Sequence, residues 1–151
     1  MIKKDQLMQE FDQARTHMRQ ALDAVDSKME IYPEWTIKEM LAHLAGWDDA
    51  TIQALKAYSC GNEPPLLAMR GIDFYNSQTV GERAGLNMPQ IIREWEMVRE
   101  QLLAILAALP EEKLGDLIVS PWGKTLTVAN LVRIMAEHEE EHALAILEKI
   151  N

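Results

Sequence analysis

Cysteine is nearly absent: Cys60 is the single one in 151 residues. No internal disulfide can form, and a reducing cytosol is the natural home of such a chain. No apolar run approaches the roughly 20 residues that a membrane span requires. Met1-Ile2-Lys3-Lys4-Asp5 has no hydrophobic signal core behind it, so a cytoplasmic protein is expected. Basic residues are outnumbered, 15 Lys and Arg against 24 Asp and Glu, for a formal charge of −9. With no concentrated Lys/Arg stripe, that balance predicts repulsion of phosphate backbones and no nucleic-acid partner. The chain also lacks a G-x-S-x-G elbow, a Walker loop and Rossmann glycines. Aromatic residues make up only 6%. Gly and Pro are few and fall between periodic stretches, while Ala, Leu, Met, Glu and Gln dominate within them. Those residues lose least on entering a helix, so an all-α fold follows.

The length and the even composition fit one domain spanning residues 1–151. Leu7, Phe11, Ala14, Met18, Leu22 and Val25 recur at three- and four-residue steps and predict a first helix from Asp5 to Asp26. Pro33-Glu34-Trp35 breaks the chain. Thr36 and Glu39 then form a capping box for a second helix, which Ile37, Met40, Leu41, Leu44, Trp47, Thr51 and Leu55 carry to Tyr58. Cys60 to Pro65 holds a Gly and a Pro pair and cannot be helical. A short helix is expected around Asp73 to Arg83. Asn87 caps a third long helix, with Pro89 in its first turn, reaching Leu109. One further turn opens at Pro110-Glu111-Glu112. Ile118 to Thr125 reads as loop with a short extended piece, and Thr127 caps a last helix to Lys149. Four long amphipathic helices with one long connection between the second and third describe a four-helix bundle.

The last helix carries the chemistry. Its stripe reads Val128, Leu131, Met135, His138, His142 and Ile146, with imidazoles at two positions where the period calls for a hydrophobe. Four residues apart, they project from one face, one turn above the other. That spacing lets one helix supply two ligands to a metal ion. Two hydrogen-bonded core histidines, or a solvated face continuing Glu137, Glu139, Glu140 and Glu141, would give the same pattern. His43, on the inner side of the second helix, offers a third imidazole and favours the metal. His17 lies beside its helix's stripe and reads as a partly exposed residue. Asp48, one turn beyond His43, could orient a ligand imidazole or be a surface charge. Trp47, Trp95 and Trp122 could line a pocket, although core packing explains any one of them.

His138-Glu139-Glu140-Glu141-His142 also matches the zinc-protease pattern H-E-x-x-H. The match is read as accidental. Only nine residues follow, and on a continuing helix Glu148 lies about 240° around from His142. A bundle, moreover, offers no strand edge to hold a peptide.

The stretch from Trp35 to Asp48 resembles the second-helix signature of the DinB-like metal-binding bundles, and His138-x-x-x-His142 resembles their last-helix motif. Ile72-Asp73-Phe74-Tyr75-Asn76, Glu94 to Arg99 and Pro121 to Val128 are similar to the ClbS/DfsB branch of that superfamily. The likeness covers essentially the whole chain in order. It implies a four-helix bundle holding one divalent ion on His43, His138 and His142, with zinc or nickel most readily seen. Relatives in the superfamily include transferases and isomerases that use mycothiol or bacillithiol.

The expectation that follows is a metal-dependent transferase or hydrolase acting on a small electrophilic or toxic molecule, with a low-molecular-weight thiol as a candidate co-substrate. An open metal position would lower the pKa of a bound water or hold a thiol as thiolate. Trp47 or Trp122 would form the pocket wall. The alternative is a non-catalytic protein that sequesters a small molecule or a metal. The expected partners are a small-molecule substrate and no membrane, with a homodimer allowed for. The catalytic residues, the substrate and the native metal are left open.

Overall fold

The computed structural model describes residues 1–151. Long helices form where the apolar stripes predict them: α1 (Lys4–Ala24), α2 (Ile37–Ser59), α4 (Met88–Ala108) and α5 (Val128–Ile150), with the short α3 (Ile72–Glu82) where a short helix was expected. The ends follow the capping logic. Glu39 reaches back to the Thr36 amide at 2.9 Å. Asn87 and Gln90 exchange side-chain and backbone bonds at 2.9 and 3.0 Å, and the Thr127 hydroxyl accepts from the Asn130 amide at 3.1 Å. Each satisfies end amides that have no partner within the helix. The expected long-helix boundaries agree with the structure to within two residues. The segment Ile118 to Thr125, expected as mostly loop, forms an antiparallel hairpin of β1 (Leu117–Val119) and β2 (Thr125–Thr127). Gly123, at φ +87°, makes its tight turn, a backbone state that costs glycine nothing.

The result is an all-α bundle of α1, α2, α4 and α5, with α3 in the long connection. α1 packs chiefly on α5 and α2 chiefly on α4, while α2–α5 and α1–α4 contacts close the ring. Glu10 meets Arg133 and Arg15 meets Glu139, so α1 and α5 ascend together. α3 is fastened across α2 at Gly46. A Cβ there would lie 2.0 Å from Thr79 Oγ1, and the Tyr75 hydroxyl donates to the Gly46 carbonyl at 2.8 Å. Glycine in a helix interior costs roughly 0.5–1 kcal/mol relative to alanine, and here it is what allows the close approach.

Two apolar cores fill the bundle. One contains Leu7, Phe11, Leu55, Leu102 and Leu131; the other contains Met18, Met40, Leu44, Trp95 and Ile146. Between them runs a polar layer, and the candidate site belongs to it. No helix is long and apolar enough to cross a membrane.

Candidate metal centre

α5 presents His138 and His142 on one face, and α2 presents His43 opposite them. One ligand nitrogen from each lies within 4.8 Å of the other two. The His43 and His138 Nε2 atoms are 2.8 Å apart, and the three ring centroids stand 4.6 to 5.3 Å from one another. Nitrogens about 2.05 Å from a shared ion are separated by about 2.9 Å at a right angle and about 3.3 Å at the tetrahedral angle. The cluster has the dimensions and the donor chemistry to hold a metal ion.

Electrostatics agree. Burial, then the neighbouring His138 and His142, push the His43 pKa down to about 2. Burial and His142 push His138 down to about 4, and burial lowers His142. Near neutral pH all three are uncharged, which is the form that ligates. His43 is buried, and its Nδ1 has no hydrogen-bond partner. Orphaned polar atoms of this kind are uncommon in folded proteins and need a reason.

Above the histidines opens a cavity of about 520 Å³. Trp35, Trp47 and Trp122 form much of its wall, with Ile72, Asn76 and Ile134. Trp47 Nε1 donates to Asn76 Oδ1 at 2.7 Å, which ties α3 to the wall. The hairpin turn delivers Trp122, whose ring centroid is 5.8 Å from that of Trp47. Trp35 comes from the turn before α2 and lies 5.0 Å from His43. Glu137 and Glu141 flank the mouth, and no lysine or arginine lines the cavity.

The other polar residues fall out differently from expectation. Asp48 does not orient an imidazole: Arg99 takes both its oxygens, at 2.7 and 3.2 Å, inside the bundle. Glu139 is not on a solvated face but is fully buried. It accepts from Arg15, Arg99 and Trp95 Nε1 at 2.9, 3.1 and 2.8 Å. Burial would raise the Glu139 pKa, but the Arg99 and Arg15 guanidiniums outweigh it and hold the carboxylate below its usual range. Turned into the core, Glu139 cannot serve as the base of a zinc protease, and Glu148 is exposed. Trp95 belongs to the core and not to the cavity. His17, part-exposed, pairs with Glu140 at 2.7 Å, away from the triad. Tyr32 and Arg15 were given no site role from the sequence, and Trp35, Asn76 and Arg99 entered only within the resembling stretches. Tyr32 and Trp35 lie in a connection, where periodicity says nothing of direction, and Asn76 lies in the short helix α3.

The family model of the DinB superfamily matches residues 10–146. This chain belongs to the DinB superfamily. The uncharacterized protein YuaE of Bacillus subtilis (strain 168) is 26% identical over 145 residues, covering 87% of this chain and 90% of that protein. Solved structures share the fold at low identity. DfsB superposes with a TM-score of 0.80 at 18% identity, covering 99% of this chain and 95% of that one. The colibactin self-resistance protein ClbS, crystallised with dsDNA, gives 0.81 at 10% identity, covering 97% and 94%. The mycothiol-dependent maleylpyruvate isomerase gives 0.75 at 16%, and this chain spans 63% of its length.

The ClbS complex corrects one inference from composition. A net charge of −9 does not rule out nucleic acid for this fold, since a protein with the same architecture was crystallised with dsDNA. Net charge sums over the whole surface, whereas a binding face is local.

Proposed function

We propose that this DinB-superfamily protein is a metal-dependent transferase or hydrolase acting on a small electrophile with an apolar body. The observation that carries this reading is the convergence of His43, His138 and His142 at a cavity of about 520 Å³, the size class of small-molecule sites. One divalent ion on the three imidazoles would supply Lewis-acid chemistry there. The chain's own residues do the rest. Trp35, Trp47 and Trp122 offer flat apolar surface to a substrate and exclude water from it. The absence of a lysine or arginine from the wall disfavours a substrate held by a phosphate. A thiol co-substrate is supported by the mycothiol-dependent isomerase of the same fold. A homodimer is part of the same reading, supported by exposed Leu66, Met69, Ile72 and Phe74 in one stretch. A cytoplasmic location is supported by the lone, unpaired Cys60.

Zinc-loaded protein is assayed with 1-chloro-2,4-dinitrobenzene plus a low-molecular-weight thiol, and with 4-nitrophenyl acetate. Multiple turnovers in either assay, lost in His138→Ala, support an enzyme. Consumption that stops at one equivalent per chain would instead indicate sequestration of the electrophile.

A further inference from the structure

The Nδ1 of His142 has a hydrogen-bond partner in the protein. The Tyr32 hydroxyl lies 3.2 Å from His142 Nδ1, and the rings meet edge to face with centroids 5.9 Å apart. His43 Nδ1 has no partner, and the one hydrogen bond of His138 runs through Nε2 to His43.

Tyr32 sits on a turn that belongs to none of the bundle helices, and several contacts fasten that turn in place. The Trp35 amide donates to the Tyr32 carbonyl at 2.8 Å, and the Ile31 amide donates to the Trp35 carbonyl at 2.7 Å. Pro33 and Glu34 occupy the two central positions. Glu34 has φ +70°, the left-handed state that a type II turn demands after proline and that glycine usually supplies. The Lys149 ammonium, from the end of α5, donates to the Ile31 carbonyl and stands 5.4 Å over the Tyr32 ring. The turn is thus tied to α5 at His142 and again at Lys149.

An imidazole that ligates through Nε2 must carry its proton on Nδ1, and the acceptor of that proton fixes both tautomer and ring angle. The structure assigns Tyr32 as the positioning residue of the metal centre: its hydroxyl oxygen accepts from His142 Nδ1–H and holds Nε2 toward His43 and His138. This rests on the metal reading above. The bundle supplies the ligands, and the turn before α2 supplies the group that aims one of them.

The test is Tyr32→Phe, which removes one oxygen and keeps the ring. Zinc affinity is measured by competition with a chromophoric chelator, and cobalt-loaded protein by its visible absorption. The wild type should bind one zinc, and the variant should bind it about 10- to 100-fold more weakly, with an altered cobalt spectrum. The melting temperature of the metal-free protein should stay the same, which a merely structural role would not allow. In zinc-loaded wild type the His142 Nδ1–H should give a slowly exchanging proton resonance that the variant lacks. Equal zinc affinity and identical cobalt spectra in the two proteins would overturn the assignment while leaving the metal reading intact. A wild type that holds no zinc would instead remove the metal reading, and this assignment with it.

Discussion

Two polar clusters share one stretch of α5, and they could hardly be more different in how well they are satisfied. Glu139 belongs to a closed network: two guanidiniums, two carboxylates and one indole N–H, drawn from all four bundle helices. Its formal charges cancel, and both carboxylates have their oxygens matched to donors. His138 and His142, its immediate neighbours, belong to an open cluster. There an imidazole nitrogen is orphaned, two ring nitrogens crowd to 2.8 Å, and a cavity adjoins. Saturated polar groups in a core hold helices in register; unsaturated ones beside a cavity leave bonding capacity for a ligand.

The sharpest way to break that contrast is to open the closed network. Glu139→Ala leaves Arg15 and Arg99 facing each other without their shared carboxylate, and one unpaired buried charge typically costs about 3–5 kcal/mol. Thermal and urea unfolding of the metal-free protein should register a loss of that order. A loss under about 1 kcal/mol would mean that water enters the layer and that the network is not closed.

The second comparison sets core against site. Leu131 is fully buried, and Leu131→Ala should cost about 2–5 kcal/mol. His142→Ala, measured without metal, should cost much less, because the apolar cores stand without it. Metal-free protein is therefore expected to stay helical by circular dichroism, and added zinc to raise the melting temperature by binding the folded state. A chelator that unfolded the chain at room temperature would make the ion a structural staple.

The third contrast is in pH. Buried His43 and His138 have pKa values pushed down to about 2 and about 4, while the unfolded chain protonates its histidines near 6.5. Below about pH 6.5 the unfolded state binds more protons, so metal-free stability falls as pH falls. The slope approaches about 1.4 kcal/mol per pH unit for each such group. Glu139, lowered by its arginines, adds a loss of the same sign at more acid pH. Melting temperatures of chelator-treated protein from pH 7.5 to 4.5 should decline, and a flat profile would contradict neutral, buried imidazoles. The same depression means that an ion on these imidazoles would be retained to lower pH than free histidine would suggest.

How much of this was legible in the sequence differs between the clusters. The histidines were readable because they replace hydrophobes on a stripe four residues apart, and because His43 follows a capped helix start. The network was equally present. Arg15 stands four residues after Phe11, Asp48 four after Leu44, Arg99 four after Trp95 and Glu139 four after Met135. Each lies on its own helix's buried stripe, two positive and two negative. Glu139 was taken for surface because it stands among Glu137, Glu140 and Glu141, and composition hid what the period showed. Tyr32 and Trp35 lie in a connection that no period governs, and Asn76 lies in α3, a short helix that buries only Tyr75 and Thr79, so their approach to the site could only come from tertiary structure. Gly46 departs from the expectation that glycines fall between the periodic stretches: it stands inside α2, where Thr79 of α3 approaches too closely for a Cβ.

The smallest effect concerns the turn that serves the open site. Glu34 holds φ +70°, a strain of order 1 kcal/mol or more for a residue with a side chain. Glu34→Gly relieves it but loosens the unfolded chain by about 0.4–1 kcal/mol. The net change in thermal unfolding should be a gain below about 1 kcal/mol. A clear loss would show that Glu34 contributes contacts of its own.

The central claim is that the open cluster holds an ion, and metal content of protein purified without a histidine tag tests it most directly. One divalent ion per chain is expected in the wild type and in His17→Ala, and none in His138→Ala or His142→Ala. Metal lost from the His17 variant but kept by the His138 variant would contradict the account.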